Sequence, residues 1–193
     1  QLYKESKFFA ENQAAHRWEK HRGLRELSGK TACIIGTGSV GSAIARRLRA
    51  FDVQTVGLNR SGHPAAEFDQ TQPTCRLDDL LPLADLVSCA MPLTAETAGL
   101  FDSVRLAKIK PGAVFVNVAR GKVTDQQALV EALQSGQLSG AVLDVFEEEP
   151  LPRSSPLWDM EQVILTPHNS FVGEHNGERL FRLFCKNLES FAQ

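Results

Sequence analysis

Three stretches of this chain end in side chains that can do acid–base or charge chemistry. Val116-Asn117-Val118-Ala119-Arg120-Gly121 delivers a guanidinium. Asp144-Val145-Phe146-Glu147-Glu148-Glu149-Pro150 delivers a run of carboxylates, and Leu165-Thr166-Pro167-His168-Asn169 an imidazole. An imidazole titrates near neutrality and can give or take a proton. A carboxylate beside an imidazole favours its protonated form. A fixed guanidinium stabilises negative charge growing on an oxygen, and it can grip a carboxylate through two parallel hydrogen bonds. A fourth stretch, Cys33-Ile34-Ile35-Gly36-Thr37-Gly38-Ser39-Val40-Gly41-Ser42-Ala43-Ile44-Ala45, reads as a phosphate cradle. Gly36 lets the chain turn tightly, Gly38 lets a pyrophosphate approach the backbone, and Gly41 lets a helix pack closely on its strand. The free amides of the helix's first turn, Ser39 and Val40 among them, would hold the phosphates together with the positive end of the helix dipole.

These groups need elements to position them. Apolar runs over 31–35, 54–58, 74–76, 86–90, 113–118, 141–146 and 163–165 predict seven strands. Helices are predicted over 4–21, 40–51, 77–83, 103–109, 124–135 and 173–191, with loop over 63–73. Strands alternating with helices argue an α/β fold: a doubly wound, Rossmann-type parallel sheet flanked by helices, in a single domain. The near-continuous apolar strand over 113–118 requires cover on both faces. The chain divides into an N-terminal helix and linker (1–29), a dinucleotide-binding domain (30–172) and a C-terminal helix (173–193). In such sheets ligands bind outside the carboxyl ends of the strands, so Arg120, the acids and His168 converge on one crevice.

Composition narrows the field. The 193 residues are 42% apolar and 23% charged, which is ordinary for a globular protein. A net charge of −2 gives no electrostatic case for nucleic acid. No apolar run reaches membrane-spanning length. Four cysteines without a C-x-x-C pair read as reduced thiols of a cytoplasmic protein. Glu147, Glu148, His16, His21, His63 and His175 read as solvated surface.

The end of the second strand chooses the nucleotide. A carboxylate there would accept hydrogen bonds from the adenosine ribose and repel a 2′-phosphate. Here Asn59 stands in that place, followed by Arg60 and Ser61. A guanidinium with a neighbouring hydroxyl suits a phosphate, so the residue types favour NADP over NAD.

Taken in order, G-T-G-S-V-G, A-M-P-L-T-A-E-T, V-N-V-A-R-G, L-D-V-F-E-E-E-P-L and T-P-H make the chain resemble the D-isomer-specific 2-hydroxyacid dehydrogenases, specifically their nucleotide-binding domain. The resemblance runs from about Trp18 to the final helix. It implies that Arg120 binds the substrate carboxylate and keto oxygen, that His168 is the acid/base, and that Glu149 pairs with it. It also implies that Asp144 sits by the nicotinamide carboxamide, and that Pro92 and Thr97 line the adenosine and phosphate side, with Val118 and Ala119 at the cofactor as well. Hydride addition to a ketone leaves an alkoxide that needs a proton, which is chemistry suited to these types. The function implied is an NADP-dependent 2-keto acid reductase of the glyoxylate or hydroxypyruvate type. An NAD-dependent phosphoglycerate dehydrogenase, which the Asn59-Arg60-Ser61 loop speaks against, and a nucleotide-sensing, corepressor-like binding protein are the alternatives. Asn169-Ser170-Phe171 departs from the family's small apolar residue and glycine, so Phe171 is expected to shape the pocket.

In that family a second domain closes over the nicotinamide, and this chain has no room for it. The expectation is a cofactor domain of a longer enzyme that binds NADP but turns over poorly alone. The resemblance also implies a homodimer, formed through the helix before the cradle, with Phe8, Phe9 and Trp18 as its apolar contacts.

Overall fold

The computed structural model describes residues 1–191. Seven strands form one parallel sheet: β1 (Thr31–Ile35), β2 (Gln54–Asn59), β3 (Gln70–Pro73), β4 (Leu86–Cys89), β5 (Ala113–Asn117), β6 (Leu138–Leu143) and β7 (Val163–Leu165). Their spatial order is β3-β2-β1-β4-β5-β6-β7. The chain therefore winds outward from β1 in one direction, then returns to the other side of β1 and winds outward again. This makes a topological switch point between β1 and β4, where a crevice opens at the strands' carboxyl ends.

Along β1, Cys33 and Ile35 enter one buried cluster with Leu58, Val87 and Phe115, while Ala32 and Ile34 enter another with Ala45, Val53 and Phe68. Alternate residues go to opposite faces, so the sheet is covered on both sides, as its apolar strands demand. The covering helices include α2 (Ser39–Arg49), α3 (Leu77–Leu80), α4 (Ser103–Lys108) and α5 (Gln126–Gln134). Asp102 and Asp125 cap α4 and α5 by accepting from the amides of Arg105 (2.8 Å) and Ala128 (2.9 Å).

Five elements depart from expectation. The first helix, α1, is short (Ser6–Ala14) and does not run to residue 21. Arg17 ends it by donating to the Asn12 side chain (2.9 and 3.0 Å), while His16 enters the left-handed region at φ 51. The presumed loop over 63–73 contains β3, and 74–76 is a 3-10 turn rather than a strand. β3 is an edge strand paired only to β2, so a polar sequence and Pro73 are tolerated there. The sixth strand begins at Leu138 and ends at Leu143, which frees Asp144 to Phe146 from the sheet. Finally, the helix over 77–83 becomes α3 followed by a 3-10 turn with Pro82 in its first turn.

The N-terminal segment lies against the β6–β7 edge of the sheet. Lys7 Nζ donates to the carbonyls of Glu161 (3.0 Å) and Val163 (2.7 Å), and Arg25 stacks over the ring of Tyr3 while bonding Ser139 Oγ (2.8 Å). Trp18 is 95% exposed. The last helix, α6 (Asn176–Phe191), buries none of its residues, and Leu180, Phe181, Phe184 and Leu188 stand exposed along it. Among the described residues no helix is long and apolar enough to cross a membrane.

Candidate active site and nucleotide cleft

The crevice at the switch point is a cleft of about 810 Å³. Its floor is the turn after β1. Gly36 has φ 107, and a Cβ on it would lie 2.5 Å from the Ala90 carbonyl oxygen at the end of β4. A Cβ on Gly41 would lie 1.9 Å from the Gly36 oxygen. Both glycines are therefore fixed by the protein's own packing. Gly38 differs: a Cβ there would meet nothing within 4 Å. The protein leaves that space open, and α2 starts there with no side-chain cap. Uncapped amides facing an open glycine fit a pyrophosphate.

Around the cleft stand Asn59, Arg60, Pro92 and Thr97, with Cys75, Glu96 and Arg105 not singled out from sequence. Thr97 Oγ1 donates to the Pro92 carbonyl (2.8 Å) and accepts from the Thr94 amide (2.7 Å), which fixes this wall. The Asn59 side chain is fully engaged. It donates to Thr37 Oγ1 (3.2 Å) and to the His63 carbonyl (2.9 Å), and it accepts from the His63 amide (3.1 Å). This staples the loop that presents Arg60 and Ser61. His63 is exposed, as expected of a surface residue, yet its ring meets Ser61 Oγ at 3.0 Å.

The second locality is built past β5, β6 and β7. Asn117, buried at the end of β5, donates to the Arg120 carbonyl (3.1 Å) and accepts from the Ala119 amide (3.0 Å). It thereby shapes the turn carrying Val118, Ala119 and Arg120. The Arg120 guanidinium is exposed and donates to the Ala119 carbonyl (2.6 Å). Next to it a Cβ on Gly121 would lie 1.8 Å from the Phe146 oxygen, so this turn presses directly on the segment leading to Glu149.

Glu149 and His168 are brought together: Glu149 Oε2 meets His168 Nδ1 at 2.7 Å. The other carboxylate oxygen accepts from the Phe146 amide (3.0 Å). Partial burial opposes ionisation of Glu149. The bonds from His168 and Phe146 outweigh it and hold the carboxyl below its usual range. His168 itself has φ 48, and its amide folds back over Pro167 to the Thr166 carbonyl (3.0 Å). A non-glycine residue keeps such a conformation only where its surroundings impose it.

Those surroundings are Asp144. It is 2% exposed, and its oxygens accept from Thr166 Oγ1 (2.5 Å), the Asn169 amide (2.9 Å) and the Ser170 amide (3.1 Å). Burial would push this carboxyl up, but the donors bring it below the ordinary value. Thr166 and Ser170 are thus supporting residues that sequence reasoning missed; the T-P-H motif was the available signal. Glu147 is exposed, as expected of a solvated residue, yet it is bonded to Gln126. Its Oε1 accepts from the Gln126 amide (2.9 Å), and its own amide donates to Gln126 Oε1 (3.3 Å). Glu148 is exposed.

A cavity of about 610 Å³ opens beside the pair, with Phe146, Leu151, Trp158 and Leu165 as apolar walls. Phe171 does not line it. Its ring stands edge-on to His168, centroids 6.2 Å apart. Arg120 forms no hydrogen bond or ion pair with Glu149 or His168. The structure places these residues on adjoining turns at the same end of the sheet.

Residues 1–170 match the family described as D-isomer specific 2-hydroxyacid dehydrogenase, NAD binding domain. A glyoxylate reductase of Pyrococcus furiosus is 40% identical over 166 residues, covering 86% of this chain and 49% of that protein. A D-isomer specific 2-hydroxyacid dehydrogenase family protein from Aeromonas salmonicida superposes with TM-score 0.90 at 38% identity, over 99% of this chain and 61% of that one. An NADPH-dependent glyoxylate/hydroxypyruvate reductase from Sinorhizobium meliloti, in complex with NADP and sulfate, superposes with TM-score 0.85 at 30% identity, over 97% and 60%. The chain spans about half the length of the curated relatives it matches.

Proposed function

The chain belongs to the D-isomer-specific 2-hydroxyacid dehydrogenase family, and from that premise we propose that it is the cofactor domain of an NADP-dependent reductase of small 2-keto acids, of the glyoxylate or hydroxypyruvate type. The observation that carries the chemistry is the 2.7 Å contact between Glu149 and His168, beside a cavity and at the same sheet end as the nucleotide cleft. A bound reduced nicotinamide would supply the hydride. Arg120 grips the substrate carboxylate and stabilises the oxygen that gains charge. His168, oriented by Glu149 through Nδ1, has Nε2 left to pass a proton to that oxygen. Asp144 holds the loop on which His168 stands.

The preference for NADP rests on Arg60 at the cleft and on the absence of a carboxylate at Asn59. Ser61 shares the same stapled loop. A second domain that excludes water would complete the site, so this chain alone should bind nucleotide and turn over poorly. Exposed Phe9 and Trp18 support a homodimer.

The test is nucleotide oxidation by the complete enzyme against a panel of 2-keto acids, with NADPH and NADH side by side. Turnover of glyoxylate or hydroxypyruvate with NADPH is expected. Preference for a phosphorylated keto acid with NADH would make it a phosphoglycerate dehydrogenase. Failure on every acid, with nucleotide binding intact, would favour a nucleotide-sensing binding protein.

A further inference from the structure

The nucleotide cleft has two lips of opposite charge. One is the stapled loop after β2, which carries Arg60; the other is the turn after β4, which carries Glu96. That turn is bonded within itself through Thr94, Thr97 and Pro92, so Glu96 is presented on a fixed support. The cleft's other guanidinium is already committed, since Arg105 Nε meets Asp78 Oδ1 at 2.9 Å. Among the described residues Arg60 forms no ion pair within 4 Å, which leaves Glu96 as the carboxylate lining the same cleft. The two opposite charges face the same cleft. A hydrogen bond with Thr94 first, and the Arg60 guanidinium as a lesser cause, hold the Glu96 carboxyl below its usual range.

We propose that Glu96 is a specificity-determining residue that acts through Arg60: its carboxylate competes with the 2′-phosphate of the nucleotide for the guanidinium, and so limits how strongly the cleft favours the phosphorylated form. This rests on the NADP reading above. A 2′-phosphate brings nearly two negative charges to a lip with one free positive charge. The opposing carboxylate draws part of that positive potential and repels the arriving phosphate. A nucleotide without the phosphate meets neither effect. The cleft is open to solvent, so the competition is modest and weakens with salt.

The experiment measures equilibrium binding of NADPH, NADH, adenosine 2′,5′-bisphosphate and adenosine 5′-phosphate to the chain, its E96Q and R60A variants, and the double variant. Glutamine keeps an oxygen for Thr94 and removes only the charge. E96Q should tighten NADPH and the bisphosphate about two- to five-fold at low salt and leave NADH and adenosine 5′-phosphate unchanged. The gain should shrink towards ~1 M salt and disappear in the R60A background, and E96D should restore wild-type affinities. Equal tightening of all four ligands, no change in NADPH, weaker NADH alone, or a gain that survives R60A would each overturn the proposal. R60A alone separates the two ideas. If it leaves the NADPH-to-NADH ratio untouched, the NADP reading falls; if it abolishes the ratio while E96Q does nothing, only the role of Glu96 falls.

Discussion

The nucleotide cleft and the Glu149–His168 locality lie at the same end of one sheet but are built by different means. The cleft is made of backbone. Its floor is two glycines locked against carbonyl oxygens, its open spot is a third glycine, and an uncapped helix terminus starts there. The other locality is made of side chains on turns, held by one buried carboxylate with three donors. A backbone site follows from the winding of the sheet and tolerates exchange of most side chains around it. A side-chain site depends on particular residues and on the turns that aim them.

The largest effect should come from the side-chain site. His168→Gln in the complete enzyme should lower kcat by about 10²–10⁴-fold, the usual worth of a positioned acid, while leaving nucleotide affinity unchanged in a direct titration. If both fell together, the two localities would not be separable. The backbone site predicts the opposite pattern, and two alanines divide it further. Gly41→Ala forces a Cβ into the Gly36 carbonyl and should lower stability by about 1–3 kcal/mol in denaturant unfolding. Gly38→Ala meets no protein atom, so the unfolding midpoint should hold while nucleotide affinity falls about ten-fold, one charge-assisted hydrogen bond's worth. A folded, tightly binding Gly38→Ala would show that no phosphate approaches there. Arg60→Ala should weaken NADPH by about ten-fold with NADH unaffected.

The smallest effect concerns acid. Asp144 and Glu149 both lie below their ordinary values in the folded chain. At mildly acid pH the unfolded chain therefore binds more protons, and stability falls with pH. Their contribution is complete above the unfolded values near pH 4 and drains as pH falls through the lower, folded ones. Thermal melts of Asp144→Asn should start lower and show a shallower acid limb than wild type. An identical limb would mean that other carboxylates govern it.

The backbone site was legible from sequence because its requirements are steric: only glycine satisfies Gly36 and Gly41, and the spacing to the helix is set by the turn. The sheet's interior strands were legible too, since burial on both faces leaves an unbroken apolar run. β3 was not, because an edge strand with one partner need not be apolar, and Gln70-Thr71-Gln72-Pro73 carries no strand signal. The pairing of Glu149 with His168 came from the family's motif; nothing local distinguishes Glu149 from Glu147 and Glu148. The supports Thr166 and Ser170 were invisible because they meet Asp144 from 22 and 26 residues away, and Asn117 because its bonds to Ala119 and Arg120 stay within one turn and leave no periodic signal. The first helix failed for a different reason: its apolar residues follow no helical face, and Arg17 closes it by a side-chain contact.

Gly121 carries one more consequence. Its α-carbon leaves no room between the Arg120 turn and the Phe146 carbonyl. In evolutionary terms the two loops are a linked pair. A descendant that altered the bend at either one would lose fit at the other, so changes there should arise jointly. Between Leu151 and Trp158 only the exposed Arg153 and Ser154 escape such coupling, since Leu157 is fully buried and Ser155 caps the turn that holds it.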